Sequence, residues 1–289
     1  MKKTRDQLIN VFNEVIEDII SREYEYDDKF IEFLETDRLI YGSMMYKTIS
    51  KKYVKNRFKD PKIYVQNIDT YKKAKELGPD CAVLNMASSK RPGGGIENGS
   101  RAQEEELCRR SNLALSLFLY SQEKWEKYFD DYFPGKILND FKYPIPIYGG
   151  IYSPRVCVYR EPGTYKTIED HYFCNVISVA GVVRPQIDQA TGMMLDRFAD
   201  IVRGKIRTIL RIAIDHSHTK LVLGALGCGA FENPPSHVAK LFKEVLEEKE
   251  FKGAFEEICF AIIEDNNSRR EHNPQGNLKH FIDVFGEYK

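Results

Sequence analysis

The sequence lacks a long hydrophobic run. Its longest mostly apolar stretch, residues 176–183, is far too short to span a bilayer. The amino terminus carries lysine and arginine but no apolar segment behind them, so we expect no secretion signal. The sequence therefore indicates no membrane association, and we expect no membrane partner.

Paired cysteines are also missing. The 6 cysteines are spread along the chain without a Cys-x-x-Cys motif or a short repeat. Most lie inside apolar runs, where a cysteine is usually a small buried hydrophobic side chain. This spacing disfavours a disulfide framework or a structural zinc site, and it predicts a reduced protein of the cytoplasm. No cluster of metal-ligating residues is visible, and we expect neither a metal nor a cofactor.

An excess of charge is absent as well. The 43 Lys and Arg residues balance 43 Asp and Glu residues. This balance disfavours general nucleic-acid binding by phosphate neutralisation, although a polyanion held in a specific cleft stays possible. With 289 residues, 42% of them hydrophobic, the chain can bury a sizeable core in one large or two small domains.

The pattern of the chain changes near residue 60. Apolar residues at helical spacing between Leu8 and Ile20 predict a first helix, and a second helix-like stretch follows around residues 30–34. We interpret residues 1–60 as a helical extension packed on the main body, with a separate small module as the alternative. Residues 121–155, rich in aromatic residues and proline, are interpreted as an irregular surface excursion.

From residue 61 onward, short apolar runs alternate with helical patterns. The predicted strands cover residues 63–65, 81–86, 156–159, 176–180, 221–224 and 258–263. The predicted helices cover residues 71–77, 103–120, 193–216, 237–250 and 278–285. Continuous apolar strands separated by helices predict a sheet buried on both faces, and therefore an α/β fold with mostly parallel strands.

The most informative segment is residues 92–105, in which three consecutive glycines follow the strand at 81–86. Such a run is costly in chain entropy, and it is usually kept where a backbone or a ligand must come close. Loops at 180–185 and 225–231 follow two other strands, so all three reach the carboxyl edge of the sheet. Together their amides suit a phosphate or a diphosphate, although each loop alone is compatible with a tight strand-to-helix turn.

Two adjacent carboxylates, Glu104 and Glu105, follow the glycines. The pattern Ser100-x-x-Gln103 matches a capping box, so we expect Ser100 to cap the helix and both glutamates to lie one turn in. Acidic residues there also complement the helix dipole without any function. Because Glu104 falls on the less polar face and Glu105 lies about 100° further round, we expect the two to diverge. One would grip substrate hydroxyls and the other would donate a proton.

The spacing Gly-Gly-Gly, seven residues, Gln-Glu-Glu resembles the signature of bacterial-type poly(ADP-ribose) glycohydrolases, which are built on a macrodomain. Residues 83–92, 106–111, 152–160, 176–180 and 224–231 are similar too, and the likeness covers about residues 60 to 285. It implies a macrodomain-like three-layer α/β/α catalytic domain over 61–289, with a mixed, mostly parallel sheet and the helical extension at 1–60. It also implies hydrolysis of ribose–ribose bonds in poly(ADP-ribose), with ADP-ribose and ADP-ribosylated macromolecules as partners.

The resemblance further implies roles for individual residues. Glu105 would be the general acid that protonates the leaving ribose oxygen, and Glu104 would bind hydroxyls of the ribose being cleaved. The substrate-binding residues would be Gly93, Gly94, Gly95, Gln103, Asn85, Gly227, Cys228, Gly229, Ala230 and Phe231. The transition state of such a cleavage is oxocarbenium-like, and an apolar pocket beside a second carboxylate raises the pKa of a general acid toward neutrality.

Two other functions stay open on the sequence. A binding module could read ADP-ribose without turnover, although it would have no reason to keep both carboxylates of Gln103-Glu104-Glu105. A hydrolase could also act on another ADP-ribosyl linkage, since the leaving group lies outside the pocket that these motifs define.

Overall fold

A computed structural model describes residues 3–33, 35–54, 57–134, 142–264 and 273–288. The helices are α1 (Arg5–Ser21), α2 (Thr36–Gly42), α3 (Thr70–Leu77), α4 (Gln103–Arg109), α5 (Leu113–Phe118), α6 (Gln122–Tyr128), α7 (Asp196–Asp215), α8 (Pro235–Leu246) and α9 (Leu278–Phe285). The strands are β1 (Glu23–Tyr26), β2 (Lys29–Glu32), β3 (Met44–Tyr46), β4 (Lys62–Gln66), β5 (Ala82–Ala87), β6 (Gly150–Arg160), β7 (Thr167–Ala180), β8 (Lys220–Leu223) and β9 (Glu257–Ala261). A short 3₁₀ helix, Ile96–Asn98, lies between β5 and α4.

Seven of the described strands form one sheet in the order β3-β6-β7-β5-β8-β9-β4. Neighbouring strands from β7 to β4 run parallel, whereas β6 is antiparallel to β7 and β3 is antiparallel to β6. The predicted α/β fold with a mixed, mostly parallel sheet is therefore confirmed. All six predicted strands are present, and β6 and β7 are longer than predicted because they continue together as a ribbon.

Helices cover both faces of the sheet. Side chains alternate along β5, so that Val83 and Ala87 face the core supplied by α1 to α6. Ala82 and Leu84 face the opposite core, which α7, α8 and α9 complete. This alternation follows from the two-residue repeat of a strand, and it produces three layers. No helix of the described residues is long and apolar enough to cross a membrane.

The amino-terminal region is less helical than expected. The apolar stripe of α1 is buried as predicted. Residues 23–32, however, form an antiparallel hairpin, so the prediction of a helix around 30–34 is wrong. Asp27 and Asp28 join the two strands with φ of 50° and 57°, the conformation that a two-residue hairpin turn requires. The next strand, β3, joins the main sheet through β6. The division of the chain at residue 60 stays a prediction.

The prediction of a single helix over 103–120 is also wrong, because the helix is interrupted between α4 and α5. The Arg110 carbonyl accepts a hydrogen bond from the Tyr159 N–H at 3.1 Å. The Asn112 N–H donates to the Cys157 carbonyl at 3.2 Å, and its side-chain Oδ1 accepts from the Cys157 N–H at 2.9 Å. The backbone at the break thus pairs with β6, and these contacts replace the helical hydrogen bonds.

Residues 121–155 are only partly a surface excursion. They include α6 and the start of β6, and Trp125, Phe129 and Phe133 are buried in the core. The abundance of aromatic residues here therefore reflects a packed cluster. Residues 135–141 lie outside the described part of the chain.

Candidate active site

The glycine loop follows β5 at the carboxyl edge of the sheet. Gly93 and Gly94 have φ of 71° and 63°, which glycine adopts at little cost. A Cβ atom on Gly94 would lie 2.5 Å from Glu105 Oε1 and 3.0 Å from Glu104 Oε2, so only glycine leaves room there. The two carboxylates thus converge on one glycine, and the expectation that they diverge is wrong. Adjacent long side chains can bend toward one point although their Cα–Cβ bonds differ in direction.

The helix that carries the glutamates begins later than expected. Its N-cap is Ala102, without a side-chain hydrogen bond, so Glu104 and Glu105 lie in the first turn. The predicted capping box is therefore wrong. Ser100 instead belongs to the turn before the helix, where its N–H donates to the Gly95 carbonyl at 3.2 Å.

Two backbone amides orient the carboxylates in place of the cap. The Ser88 N–H donates to Glu104 Oε2 and the Gly95 N–H donates to Glu105 Oε1, each at 2.7 Å. Both amides belong to the loop after β5. Hydrogen bonds from a backbone to a charged acceptor are short and strong, so the loop and the glutamates fix each other.

Gln103 and Asn85 lie next to the pair but are engaged with the sheet. Gln103 Oε1 accepts from the Met86 N–H at 2.8 Å, and its Nε2 donates to the Leu84 carbonyl at 2.9 Å. Asn85 is fully buried and donates from Nδ2 to Ser178 Oγ at 3.0 Å. Gln103 thus anchors the start of α4 to β5, whereas Asn85 joins β5 to β7. Contact of either residue with substrate stays a prediction.

The electrostatics of the pair single out Glu104. Burial raises the pKa of Glu104 to about 8, and the charge of Glu105 adds to this effect, while hydrogen bonds from Ser88 and Asn85 oppose it. Glu104 Oε1 and Glu105 Oε2 are buried without a hydrogen-bond partner in the described structure. Unpartnered buried oxygens are costly, so this arrangement favours a bound ligand or a shared proton. The pKa increase expected beside a second carboxylate thus falls on Glu104.

The loop at 225–231 contacts the loop after β7. Gly227 has φ of 76°, and an added Cβ on Gly181 would lie 2.9 Å from Gly227 Cα, so the loops after β7 and β8 touch. Asn233, fully buried, donates from Nδ2 to the carbonyls of Val182 at 2.6 Å and Gly227 at 2.9 Å. The same Nδ2 also donates to the Phe231 carbonyl at 3.1 Å. This side chain ties the two loops together.

The side chain of Cys228 packs in the hydrophobic core. Its side chain is buried, and burial raises the pKa of the Cys228 thiol well above its usual value. A neutral buried thiol is a poor nucleophile. The predicted role in binding through a backbone amide is compatible with this position.

A cavity of about 520 Å³ lies between the start of α4 and the loop at 225–231. It brings together six of the predicted site residues, namely Gln103, Glu105, Gly227, Gly229, Ala230 and Phe231. Glu104, Asn85, the triple glycine and Cys228 are not among the lining residues. Gly94 lies against both carboxylates. Glu104 and the triple glycine therefore pack against Glu105, which lines the cavity.

Sequence reasoning missed two supporting residues, Asn233 and Arg109. Arg109 is fully buried, and its guanidinium donates to the carbonyls of Leu8 in α1 at 3.2 Å and of Ser100 at 2.7 Å. It therefore links the first helix of the chain to the turn before α4. Asn233 stands before two prolines, a turn signal that predicts its place but not its buried contacts.

The fold and the site define an enzyme class: a layered α/β protein in which two close carboxyl groups, able to exchange protons, lie near a glycine-rich loop. The microbial-type PARG catalytic domain matches residues 13–161, and the chain belongs to this family, PARG being poly(ADP-ribose) glycohydrolase. The match begins within α1 and ends after β6. No curated protein matches the chain.

Solved structures of poly(ADP-ribose) glycohydrolases are also similar to this chain. The poly(ADP-ribose) glycohydrolase of Thermomonospora curvata is 24% identical, with a TM-score of 0.74 over 97% of this chain and 100% of that chain. The enzyme of Deinococcus radiodurans, solved in complex with ADP-ribose, is 28% identical, with a TM-score of 0.62 over 86% of this chain and 95% of that chain. The fold is therefore shared along nearly the whole chain, including residues before 60.

Proposed function

We propose that the enzyme hydrolyses the ribose–ribose O-glycosidic bonds of poly(ADP-ribose) and releases ADP-ribose, with Glu105 as the general acid. The observation that carries the proposal is the place of Glu105, in one cavity with the loop at 227–231. A carboxyl group and an anion-binding loop at that spacing suit a ribose next to a diphosphate. The ADP-ribose bound to the Deinococcus radiodurans enzyme supports this ligand class.

Glu105 would protonate the ribose oxygen as its bond to the anomeric carbon breaks. The sugar then passes through an oxocarbenium-like state, which nearby carboxylate charge stabilises. A water molecule adds to the anomeric carbon and returns its proton to Glu105. Because Glu105 Oε1 accepts the Gly95 N–H, the unpartnered Oε2 is the oxygen that would carry the proton.

Glu104 would bind hydroxyls of the ribose being cleaved. Since its pKa is about 8, it is protonated near neutral pH and can donate as well as accept a hydrogen bond. A proton on each of the two groups, as the acid role of Glu105 requires, removes the repulsion between two close carboxylates. Glu104 and Glu105 thus act as a unit, although only Glu105 faces the cavity.

The two loops would hold the rest of the substrate. The amides from Gly227 to Ala230 would bind the diphosphate, and Phe231 would pack against the distal ribose. The triple glycine lets the sugar approach the carboxylates, while Gln103 and Asn85 keep α4 and Glu104 in place beside it.

The cellular setting is part of the proposal. All 6 cysteines are free and buried, which suits a reducing compartment, and we place the enzyme in the cytoplasm. The layered sheet with its ligand loops at the carboxyl edge also supports assignment to the macrodomains.

The test of the proposal is Glu105→Gln. We expect hydrolysis of labelled poly(ADP-ribose) to fall about a hundredfold or more, the usual contribution of general acid catalysis, while ADP-ribose affinity changes less than threefold. Glu123→Gln is the control, because this carboxylate is exposed on α6 and does not line the cavity. A loss below tenfold would contradict the role of Glu105. Intact polymer with micromolar binding by the wild type would favour a reader.

The linkage needs a separate assay. Poly(ADP-ribose), mono-ADP-ribosylated protein and ADP-ribosylated nucleic acid would be incubated with the wild type side by side. We expect release of ADP-ribose from the polymer to be at least tenfold faster than from the other two. Faster release from either of the others would assign the enzyme to that linkage instead.

A further inference from the structure

Glu97 lies in the 3₁₀ helix between the triple glycine and the catalytic pair, and α6 binds its carboxylate with three donors. Lys127 Nζ donates to Oε1 at 2.8 Å, the Tyr128 hydroxyl donates to the same oxygen at 2.5 Å, and Lys124 Nζ donates to Oε2. Burial opposes ionisation, but hydrogen bonds from Lys124 and Lys127 outweigh it and lower the pKa of Glu97 to about 2. The contact is therefore charged at any pH suited to an assay.

The apolar side of α6 reaches the same loop. The Tyr128 ring packs on Phe118 and Phe12, with centroid distances of 5.6 Å and 5.9 Å. Phe118 in turn lies beside Gly93, where an added Cβ would be 3.5 Å from the ring. The loop is thus held from outside at two points, by charge at Glu97 and by aromatic packing at Gly93.

A short hydrogen-bonded turn connects Glu97 to the catalytic carboxylate. The Asn98 N–H and the Ser100 N–H both donate to the Gly95 carbonyl, at 3.0 Å and 3.2 Å. The N–H of Gly95 is the group that orients Glu105. A displacement of the turn at Glu97 would therefore move the amide that sets the direction of the general acid.

We propose that Glu97 is a positioning residue for the hydrolysis: its anchor on α6 fixes the loop whose Gly95 amide aims Glu105 at the substrate. The inference rests on the proposed role of Glu105. Glu97 is not among the residues that line the cavity, so its effect should appear in turnover rather than in ligand affinity. A misplacement of about 1 Å at reacting groups can cost a hundredfold in rate.

The kinetic test compares Glu97→Ala, Glu97→Gln and the control Glu123→Gln. The control removes one exposed carboxylate from α6, the helix that binds Glu97. We expect Glu97→Ala to lower kcat at least tenfold with the Kd of ADP-ribose within threefold, and Glu97→Gln to recover part of the loss because it keeps an acceptor. Glu123→Gln should resemble the wild type. Loss of affinity in step with kcat, or an unchanged kcat, would overturn the proposal.

A double-mutant cycle identifies the partner. Lys124→Met combined with Lys127→Met should lower kcat as Glu97→Ala does, and adding Glu97→Ala should cause no further loss, since one interaction is removed either way. Losses that multiply would overturn the proposal, because they would mean that the lysines act elsewhere.

Hydrogen exchange gives a readout that needs no activity. Amides of residues 93–99 should exchange at least fivefold faster in Glu97→Ala than in the wild type or in Glu123→Gln. If these amides exchange faster in Glu97→Ala but the wild type does not hydrolyse the polymer, the loop anchor is upheld and the proposed function is refuted. Unchanged exchange would refute the anchor itself.

Discussion

At the scale of single residues, Gly94 combines a left-handed backbone with close contact to a carboxylate. Its φ is positive and an added methyl group would overlap Glu105 Oε1 at 2.5 Å. Nothing in the loop can relieve that overlap without turning a carboxylate, because the Gly95 amide holds the same oxygen. The glycine is therefore a condition for the geometry of the acid.

We expect Gly94→Ala to lower the rate of polymer hydrolysis at least a hundredfold, measured as kcat. The matched control is Gly163→Ala, since Gly163 has φ of 73° but no atom within 4 Å of an added Cβ. Both variants should lose about 1 kcal/mol of stability from the left-handed backbone. Equal activity in the two variants would show that backbone strain, and not the carboxylate contact, determines the effect.

The raised pKa of Glu104 makes the stability of the protein depend on pH. A carboxyl with a folded-state pKa near 8 and an unfolded value near 4.5 keeps its proton in the folded protein over that interval. The unfolded chain binds fewer protons there, so the stability that Glu104 contributes is full below about pH 4.5 and is lost as the pH rises toward 8.

Glu104→Gln should remove this dependence. We expect the free energy of unfolding of the wild type to fall, relative to the variant, by on the order of 3 kcal/mol between pH 5 and pH 8. Urea unfolding at several pH values measures the difference. Parallel curves for the two proteins would show that the Glu104 carboxyl ionises alike in the folded and unfolded chain.

At the scale of elements, the site depends on loops that follow three parallel strands. One buried amide, that of Asn233, bonds to the loops after β7 and β8, and α6 anchors the loop after β5 through Glu97. Loops at a sheet edge have few contacts of their own, so such anchors supply the rigidity that catalysis needs.

Asn233→Asp should weaken binding more than turnover. The substitution keeps the shape but places a carboxylate against the carbonyls of Val182, Gly227 and Phe231, which now repel it. We expect the Kd of ADP-ribose to rise at least tenfold in calorimetric titration, with kcat at saturation within threefold. Glu232→Gln, at a half-buried neighbouring position, is the control. A reduced kcat with unchanged Kd would place Asn233 in the chemical step.

At the scale of the whole molecule, the first 60 residues share the main core. Phe12, Val15 and Ile19 of α1 pack in the same cluster as Val83 of β5, and β3 pairs with β6. Arg109 ties α1 to the turn before the catalytic helix. These contacts favour one folding unit over a detachable extension.

Removal of residues 1–60 is therefore expected to abolish cooperative unfolding of the remaining chain. The deletion exposes the apolar face on which α1 packs and one edge of the sheet, and both promote aggregation. Circular dichroism during thermal unfolding, beside the full chain, measures this. A fragment 61–289 that unfolds cooperatively within 5 °C of the full chain would confirm the domain boundary at residue 60.

The local features of this protein could be predicted from the sequence. Apolar runs predicted the six strands from 61 onward, and the spacing of apolar residues in α1 predicted its buried face, because periodicity depends only on neighbours along the chain. The break between α4 and α5 could not be predicted, since β6 supplies its hydrogen bonds from about 45 residues away. The hairpin at 23–32 had a local signal, because Tyr24 and Tyr26 alternate with glutamates just before Asp27-Asp28.

By itself, the sequence determined which chemical groups meet at the sheet edge: a triple glycine, two carboxylates and a second glycine loop, each following a strand. Only the tertiary structure decided how they act on one another. The convergence of Glu104 and Glu105 on Gly94, the raised pKa of Glu104 and the anchor of Glu97 on α6 all depend on distances of a few ångströms. Such distances are set by packing between segments that lie far apart in the chain, and no local pattern records them.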